Sequence, residues 1–315
     1  MGLDVNGVRS LLFSRKLGTD FSRTAMIGRQ VYYLAPSALT TALESFGYRL
    51  GSQDVEQLLT KNDYHIEPIL SLLGADLIHS LDYSGYQGAT HVHDMNQPVP
   101  DSMKGQYSLV IDFGTLEHVF NYPVAIKNCM EMLAVDGTCL LVTPANNFCG
   151  HGFYQLSPEL FFNVFSPANG FETLEVIVFE DKPFAPWFSV RSPMAAGQKV
   201  MLQSGLPTYM LVIARKRAVV EIFCHAPQQS DYIAAWDRWQ SNDQSLQSAS
   251  YQQYKRSQQS SSMPGGSQAL QAALKHLAPK AFKNITRDAV RLINSYVFNP
   301  FNPKFYTLID PTSDR

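Results

Sequence analysis

The sequence predicts an α/β protein whose mostly parallel sheet is covered by helices on both faces. Short apolar runs alternate with segments of helical periodicity through residues 25–217, which is the pattern of strands joined by helical crossovers. Several runs are apolar almost throughout, as in YSLVIDF (107–113), and this is typical of strands buried on both faces. The composition, with 45% hydrophobic and 17% charged residues in a chain of 315, is that of a globular protein.

The first elements are a helix, a strand and a long helical region. Residues 1–24 are polar and amphipathic and predict a leading helix. AMIGRQVYYL (25–34) predicts the first strand, because it is rich in β-branched and aromatic residues, and the turn after it is then Ala35-Pro36-Ser37. From residue 36 to residue 73 apolar side chains recur at three- and four-residue steps, which predicts helical structure.

The remaining elements of the body alternate in type. A helix is predicted over VAIKNCMEMLAVDG (124–137), where an apolar stripe ends at Asp136-Gly137. Another begins at Ser157-Pro158-Glu159, an N-cap followed by a first-turn proline and an early acid. The predicted strands are ADLIHSLD (75–82), ATHVHD (89–94), YSLVIDF (107–113), GTCLLVTP (137–144), FETLEVIVFE (171–180) and PTYMLVIARK (207–216).

Composition divides the chain after the predicted sheet. Residues 25–217 form the α/β body, and a connecting helix is predicted over 218–239. A Ser/Gln-rich linker, nearly devoid of aliphatic residues, covers 240–267. Helical periodicity returns in a C-terminal segment over 268–315. We expect its apolar stretch FNPFNPKF (298–305) either to dock on the body or to form a homodimer.

Charge and composition exclude several classes of function. The formal charge is −2 and no long Lys/Arg run occurs, so we expect no nucleic-acid partner. No apolar run approaches the roughly 18–20 residues of a spanning helix, and the N-terminus lacks the apolar core of a signal peptide, so we expect no membrane partner. Four cysteines without CxxC or metal-finger spacing indicate reduced thiols in a cytoplasmic protein.

Three passages, in this order, resemble the class I S-adenosylmethionine-dependent methyltransferases. SLDYSGYQGA (80–89) resembles the family's second strand with its terminal acid. HVHDMNQPVPDSMKGQYSLVIDFGTLEHVF (91–120) resembles the run into the fourth strand, and EMLAVDGTCLLVTPANN (131–147) the passage into the fifth. The resemblance covers residues 25–216. It implies a seven-stranded, mostly parallel Rossmann-like methyltransferase sheet with helical N- and C-terminal additions.

The resemblance also implies S-adenosylmethionine as the cofactor. Asp82 would accept hydrogen bonds from the ribose hydroxyls, because a carboxylate offers two acceptor oxygens to a diol. The residues that the resemblance assigns to the cofactor are Asp82, Asp94, Met95, Asp112 and Gly114. From the residues alone, Asp82 and Asp94 are explained about equally well as caps of the turns before Ser84 and Asn96, and Asp112 is favoured as a structural residue.

The predicted turn after the first strand departs from the family's pattern. Members usually carry an acidic residue and a glycine-rich turn there, so that the backbone approaches the cofactor closely. In Ala35-Pro36-Ser37 the proline lacks an N–H and fixes φ, and neither neighbour is glycine. This departure favours an alternative function, a methyltransferase-like domain without catalytic activity that serves as a binding or assembly module.

Loop PANNFCGHGFYQLSPE (144–159) predicts the acceptor site, because polar side chains crowd around its glycines at the carboxyl end of a strand. We expect His151 and Tyr154 to act as acid or base, with His118 as a further candidate whose alternative role is a pocket wall. Glu117 is explained as an early helix acid. The residues expected to bind the acceptor are Asn146, Asn147 and Gln155, together with Trp187 and Arg191 from a lid over 182–198, where Trp187 has packing as its alternative role.

HVHD (91–94) places two histidines on one face of a strand, a spacing that chelates metal in several hydrolases. The HxHxDH continuation of such sites is absent, so we expect no metal centre. The function predicted from the resemblance is transfer of a methyl group to an oxygen or nitrogen of a small-molecule acceptor.

Overall fold

The computed structural model of the protein describes residues 2–196, 199–233, 236 and 302–313. One sheet runs through this part of the chain. Its strands are β1 (Arg23–Ile27), β2 (Leu77–Asp82), β3 (His91–Val92), β4 (Tyr107–Phe113), β5 (Leu133–Asn146), β6 (Phe171–Glu180), β7 (Trp187–Val190), β8 (Thr208–Lys216) and β9 (Tyr306–Ile309). The helices are α1 (Val5–Lys16), α2 (Pro36–Ser45), α3 (Ser52–Thr60), α4 (Glu67–Leu72), α5 (Tyr122–Met132), α6 (Pro158–Val164) and α7 (Pro193–Ala196).

The spatial order of the strands is β3-β2-β1-β4-β5-β8-β6-β7-β9. Neighbours from β3 to β5 pair in parallel. β8 lies antiparallel between β5 and β6, and β7 and β9 extend the sheet in antiparallel fashion. The parallel half has the Rossmann order, in which the winding reverses between β1 and β4. The predicted α/β class and Rossmann-like sheet are confirmed, but seven strands is wrong, because the described residues form nine.

The two unpredicted strands come from segments assigned to other structure. β7 lies in the predicted lid, and β9 lies in the predicted C-terminal helical segment. Each has four residues, and Trp187 pairs with Ile309 while Val190 pairs with Tyr306. So short a strand carries little periodicity of its own. β7 pairs with β6 and β9, and β9 depends on a partner more than a hundred residues before it. The local sequence therefore could not reveal either strand.

The first strand is shorter than predicted, and this moves the turn that follows it. β1 ends at Ile27, and Gly28 comes next with φ of 69°. The Gln30 side chain, 2% exposed, folds back and donates to the Ile27 carbonyl over 3.0 Å. Val31 and Tyr32 make only isolated bridges outside the sheet. The turn after β1 is therefore Gly28-Arg29-Gln30, and its placement at residues 35–37 was wrong.

Residues 36–73 form three helices rather than one helical region. Ala35 is the N-cap of α2 and Pro36 occupies its first turn, where a missing N–H is tolerated. Gly47, with φ of 85°, follows the end of α2. Residues 62–64 all have left-handed backbone and separate α3 from α4. The helices α1 to α4 cover one face of the sheet, and α5 and α6 cover the other.

The segments after the sheet are described only in part. Residues 217–229 are not helical, and a helix begins at Ser230, so the predicted helix over 218–239 is wrong in its first half. The linker over 240–267 and residues 268–301 lie outside the described residues. Within the part that is described, no helix has the length and apolarity needed to cross a membrane.

Candidate active site

The parallel strands end at one edge of the sheet, and the predicted site residues follow them there. β1 ends at Ile27, β2 at Asp82, β4 at Phe113 and β5 at Asn146. Ligands of open parallel sheets bind at this carboxyl edge, next to the point where the winding reverses. Here that point lies between β1 and β4.

The turns after β1 and β4 pack directly on each other. A Cβ on Gly28 would lie 2.5 Å from Oγ1 of Thr115, closer than real contacts allow. The same Oγ1 donates to the Ile27 carbonyl over 2.9 Å, so it ties the β4 turn to the end of β1. Glycine is required at position 28 both by this contact and by the positive φ.

Asp82 keeps one carboxylate oxygen free for a ligand. Oδ1 accepts a 3.2 Å hydrogen bond from the Ser84 amide, as the turn-capping alternative requires. No described residue donates to the other oxygen, and the residue is half-buried at the strand end. The Asp82 side chain is thus compatible with both of its predicted roles at once.

Asp94 and Met95 lie beside β3 but are engaged by the protein. Oδ1 of Asp94 accepts from the Asn96 amide over 2.9 Å and from the Asn96 side chain over 2.8 Å. These hydrogen bonds lower the pKa of Asp94. Met95 is 5% exposed and belongs to the core on the α5 face. The capping interpretation therefore accounts for Asp94.

Asp112 is a buried structural carboxylate. It is 0% exposed and accepts from the amides of Thr115 over 3.0 Å and Leu116 over 3.4 Å. Burial raises the pKa of Asp112, and these amide bonds oppose that shift. Together they hold Gly114, with φ of 94°, and the short 3-10 helix Leu116–His118 at the end of β4.

That 3-10 helix buries Glu117 against His151 of the loop after β5. The Glu117 side chain is fully buried, and Oε1 lies 3.3 Å from Nε2 of His151. The geometry is not that of a hydrogen bond, and within the described chain both Glu117 oxygens and His151 Nε2 have no hydrogen-bond partner. Burial, and then the Asp112 carboxyl, raise the pKa of Glu117. A buried acid without partners is costly, and such groups cluster at functional sites.

His118 completes the cluster. Its ring centroid lies 4.9 Å from that of His151, and the residue is exposed. Burial, and then the neighbouring His151, lower the pKa of His118. In the described part of the chain, one group of three side chains of the metal-ligating types His, Cys, Asp and Glu comes close enough to share one ion. Its members are Glu117, His118 and His151.

The loop over 148–153 is clamped on Glu117 through its backbone. The Phe153 amide donates to the Glu117 carbonyl over 2.8 Å. Gly152 has φ of 67°, and a Cβ there would lie 2.8 Å from the same carbonyl oxygen. Gly152 therefore lets the loop approach closely enough to place His151 over the acid.

The other polar side chains of the loop after β5 mainly hold the loop itself. The Tyr154 hydroxyl donates to the Phe120 carbonyl over 2.6 Å, and Oε1 of Gln155 accepts from the Phe148 amide over 2.7 Å. The side chains of Asn146 and Asn147 donate to Ser204, in the turn before β8. Of the polar side chains that the sequence predicted for the acceptor site in this loop, His151 is the one that faces Glu117 and His118.

The structure does not place Trp187 and Arg191 as ligand-binding residues. Trp187 is 0% exposed and packs between Phe13 and Phe179, with Arg9 over its ring, so its alternative packing role applies. Arg191 follows the last residue of β7, which runs toward the opposite edge of the sheet.

The two histidines of HVHD also separate. Nε2 of His91 lies 3.2 Å from Nδ1 of His79 on β2, whereas Nε2 of His93 lies 3.1 Å from the Gln97 carbonyl oxygen. No third metal-ligating side chain joins either histidine among the described residues.

Sequence reasoning did not single out Gly28, Thr115 and Gly152, and it explained Glu117 as an early helix acid. Glu117 does lie in the first turn of the 3-10 helix, and the structure also buries its side chain completely. The sequence does carry a signal for the turn after β1, because Gly28 directly follows the apolar triplet Ala25–Ile27. Phe120 and Phe153 were also missed. They are 73% and 65% exposed, and their ring centroids lie 5.9 Å apart beside the cluster.

No protein-family model matches the sequence, and a search of curated proteins finds no match. Solved structures similar to this chain include a protein of Bacillus halodurans C-125 assigned as a methyltransferase, with 10% identity over 66% of this chain and 99% of that one and a TM-score of 0.38. The branched-chain polyamine synthase of Thermus thermophilus shares 12% identity over 70% and 59% of the two chains, with a TM-score of 0.36. The 1,6-didemethyltoxoflavin-N1-methyltransferase of Burkholderia thailandensis shares 13% over 67% and 77%, with a TM-score of 0.33. These similarities concern the fold alone.

Proposed function

We propose that the protein is an S-adenosylmethionine-dependent methyltransferase that acts on an oxygen or nitrogen of a small-molecule acceptor. The observation that carries the proposal is that polar atoms without a hydrogen-bond partner in the described chain lie at the carboxyl ends of strands on either side of β1. One set is the free oxygen of Asp82 after β2, and the other is the Glu117–His151 pair after β4 and β5. The Gly28 and Thr115 turns lie in contact between them.

The side chains at the ends of β1 and β2 fit this cofactor. Asp82 offers an unused carboxylate oxygen, which suits the ribose diol. Gly28 closes the β1 turn against the β4 turn with no side chain between them. Asp112 holds the Gly114 turn, while Asp94 and Met95 shape the wall beyond β3. When bound, the cofactor supplies a methyl group activated by its sulfonium.

The cluster after β4 and β5 is proposed to hold the acceptor. Methyl transfer from a sulfonium depends mainly on alignment of the nucleophile with the methyl group, and a base is optional. His118 and His151 are placed to hold the acceptor atom, and Tyr154 fixes the loop through Phe120. The exposed rings of Phe120 and Phe153 offer apolar contact beside them.

The alternative function, a domain without catalytic activity, rested on Ala35-Pro36-Ser37 as the turn after β1. Those residues begin α2 instead, so they say nothing about the cofactor turn. Among the described residues, both Glu117 oxygens and Nε2 of His151 lack a hydrogen-bond partner, which favours a working site, since a structural cluster would satisfy its buried polar atoms.

Asp82→Ala is expected to weaken S-adenosylmethionine binding by about 1–3 kcal/mol, or roughly 5- to 150-fold, because two hydrogen bonds to a carboxylate are lost. Calorimetric titration of the wild type and the variant measures this difference. Asp101→Ala is the matched control, because Asp101 is 95% exposed in a 3-10 helix before β4, at the opposite edge of the sheet. Equal affinities for the wild type and D82A would remove Asp82 from the proposed site.

A further inference from the structure

We propose that Glu117, His118 and His151 bind a divalent transition-metal ion. One ligand atom from each side chain, a carboxylate oxygen or an imidazole nitrogen, lies within 4.8 Å of the others. Glu117 and His118 come from the 3-10 helix after β4, and His151 comes from the loop after β5. The site is thus assembled from two segments that the fold brings to one edge of the sheet.

The first observation for an ion is the state of the Glu117 carboxylate. Its side chain is completely buried, and neither oxygen accepts a hydrogen bond from any described residue. A buried carboxyl group whose oxygens lack partners is costly in its neutral and in its charged form, and buried carboxyl groups in proteins are hydrogen-bonded, paired or coordinate metals. A bound cation would satisfy both the charge and the lone pairs. Asp112 does not do so, because its two oxygens accept from the Thr115 and Leu116 amides and no hydrogen bond joins it to Glu117 in the described chain.

The second observation is the distance between a Glu117 oxygen and a His151 nitrogen. Oε1 of Glu117 and Nε2 of His151 face each other at 3.3 Å without the alignment of a hydrogen bond. Two ligands of a tetrahedral ion with bonds of about 2.0–2.1 Å lie about 3.3–3.4 Å apart. The pair therefore has the separation of one edge of a tetrahedral site. His118 is exposed, and its ligand nitrogen lies within 4.8 Å of the other two ligand atoms.

The surrounding backbone holds the ligand positions in place. The Phe153 amide is bonded to the Glu117 carbonyl, and Gly152 lies against the same group. The Asp112 carboxylate anchors the start of the 3-10 helix through Thr115 and Leu116. Sites held by such supporting contacts need little rearrangement to accept an ion.

The donor set selects the class of ion. Two imidazoles and one carboxylate bind Zn²⁺ in catalytic sites that leave a fourth position open, and also suit Fe²⁺, Co²⁺ and Ni²⁺. Mg²⁺ and Ca²⁺ prefer oxygen ligands and fit this set poorly. The expectation from the sequence that no metal centre exists weighed a site built on HVHD, with His79, His118 and His151 as its further ligands, and it treated Glu117 as a helix acid.

The role of the ion rests on the proposed function. The open position would take the oxygen of an acceptor hydroxyl, and a coordinated hydroxyl has a lowered pKa and releases its proton to solvent. This narrows the acceptor to molecules that present a hydroxyl group to the site. The binding of the ion itself is independent of whether the protein transfers methyl groups.

The test is calorimetric titration of Zn²⁺ into the full chain after treatment with a chelator. One site of micromolar affinity or tighter is expected, and Glu117→Gln, His118→Ala and His151→Ala should each weaken it by at least tenfold. His118 is exposed, so its variant keeps the experiment informative if a change at buried Glu117 impairs folding. His91→Ala is the control, because it removes a histidine that lies beside His79 and outside the cluster. Replacing Zn²⁺ by Co²⁺ adds a visible absorption band that reports nitrogen and oxygen ligands directly.

Absence of Zn²⁺ binding to the wild type would overturn the proposal. So would binding that survives H118A and H151A but is lost in H91A. S-adenosylmethionine affinity, measured on the same samples, distinguishes failure of the metal proposal from failure of the proposed function. The two measurements are separate because Asp82 and Gly28 do not take part in the metal site.

Discussion

Replacing Gly152 by alanine is expected to destabilise the protein by about 2–4 kcal/mol, since it adds a backbone clash to an unfavourable φ. The new Cβ would lie 2.8 Å from the Glu117 carbonyl oxygen and 3.1 Å from Glu117 Cγ. Both contacts involve groups that are fixed, one by the 3-10 helix and one by burial. The loop is therefore expected to lift away from Glu117 and take His151 with it.

Gly150→Ala is the matched control for this variant. Gly150 lies in the same loop, its φ is not positive, and a Cβ there would meet no atom within 4 Å. Denaturant unfolding of both variants gives the two free energies of unfolding. G152A should lose several times more stability than G150A. Equal stabilities would show that the loop does not depend on close contact with Glu117.

Gly28→Ala is expected to have the next largest effect, a loss of about 2–3 kcal/mol together with weakened cofactor binding. The added Cβ would lie 2.5 Å from Oγ1 of Thr115 in a backbone of φ 69°. Relief of this contact requires Thr115 to release the Ile27 carbonyl, which separates the β1 turn from the β4 turn. Gly85→Ala, where the nearest atom is 3.9 Å away, is the control.

A double variant with Thr115→Ala separates the clash from the backbone strain. Thr115→Ala removes the Oγ1 atom that the new Cβ would meet, so G28A should lower the free energy of unfolding less in that background than in the wild type. The strain of the positive φ remains in both. Additive losses of stability would mean that the two turns are not in direct contact.

The fold was predictable from sequence wherever a strand carries its own signal. YSLVIDF is apolar almost throughout, and its predicted bounds are those of β4. QVYYL is equally rich in β-branched and aromatic residues, yet those side chains pack outside the sheet, because Gly28 turns the chain after Ile27. Propensity alone cannot show where a strand ends. β7 and β9 exist only through their pairing with each other and with β6.

The candidate site was predictable in position but not in composition. His118 and His151 were expected near the acceptor, and the structure brings their rings together. Glu117 could not be recognised, since its significance comes from complete burial and from oxygens that accept no hydrogen bond in the described chain, and only tertiary packing decides both. In the sequence, Asn146 and Asn147 cannot be told from ligand-binding amides. In the structure their side chains donate hydrogen bonds to Ser204, in the turn before β8.

The central claim, a cofactor site at the ends of β1 and β2, is tested most directly by calorimetric titration of the metal-free wild type with S-adenosylmethionine and S-adenosylhomocysteine. We predict binding of both with micromolar dissociation constants and one site per chain. No binding of either at millimolar concentration would contradict the claim, and the carboxyl edge would then serve a different ligand.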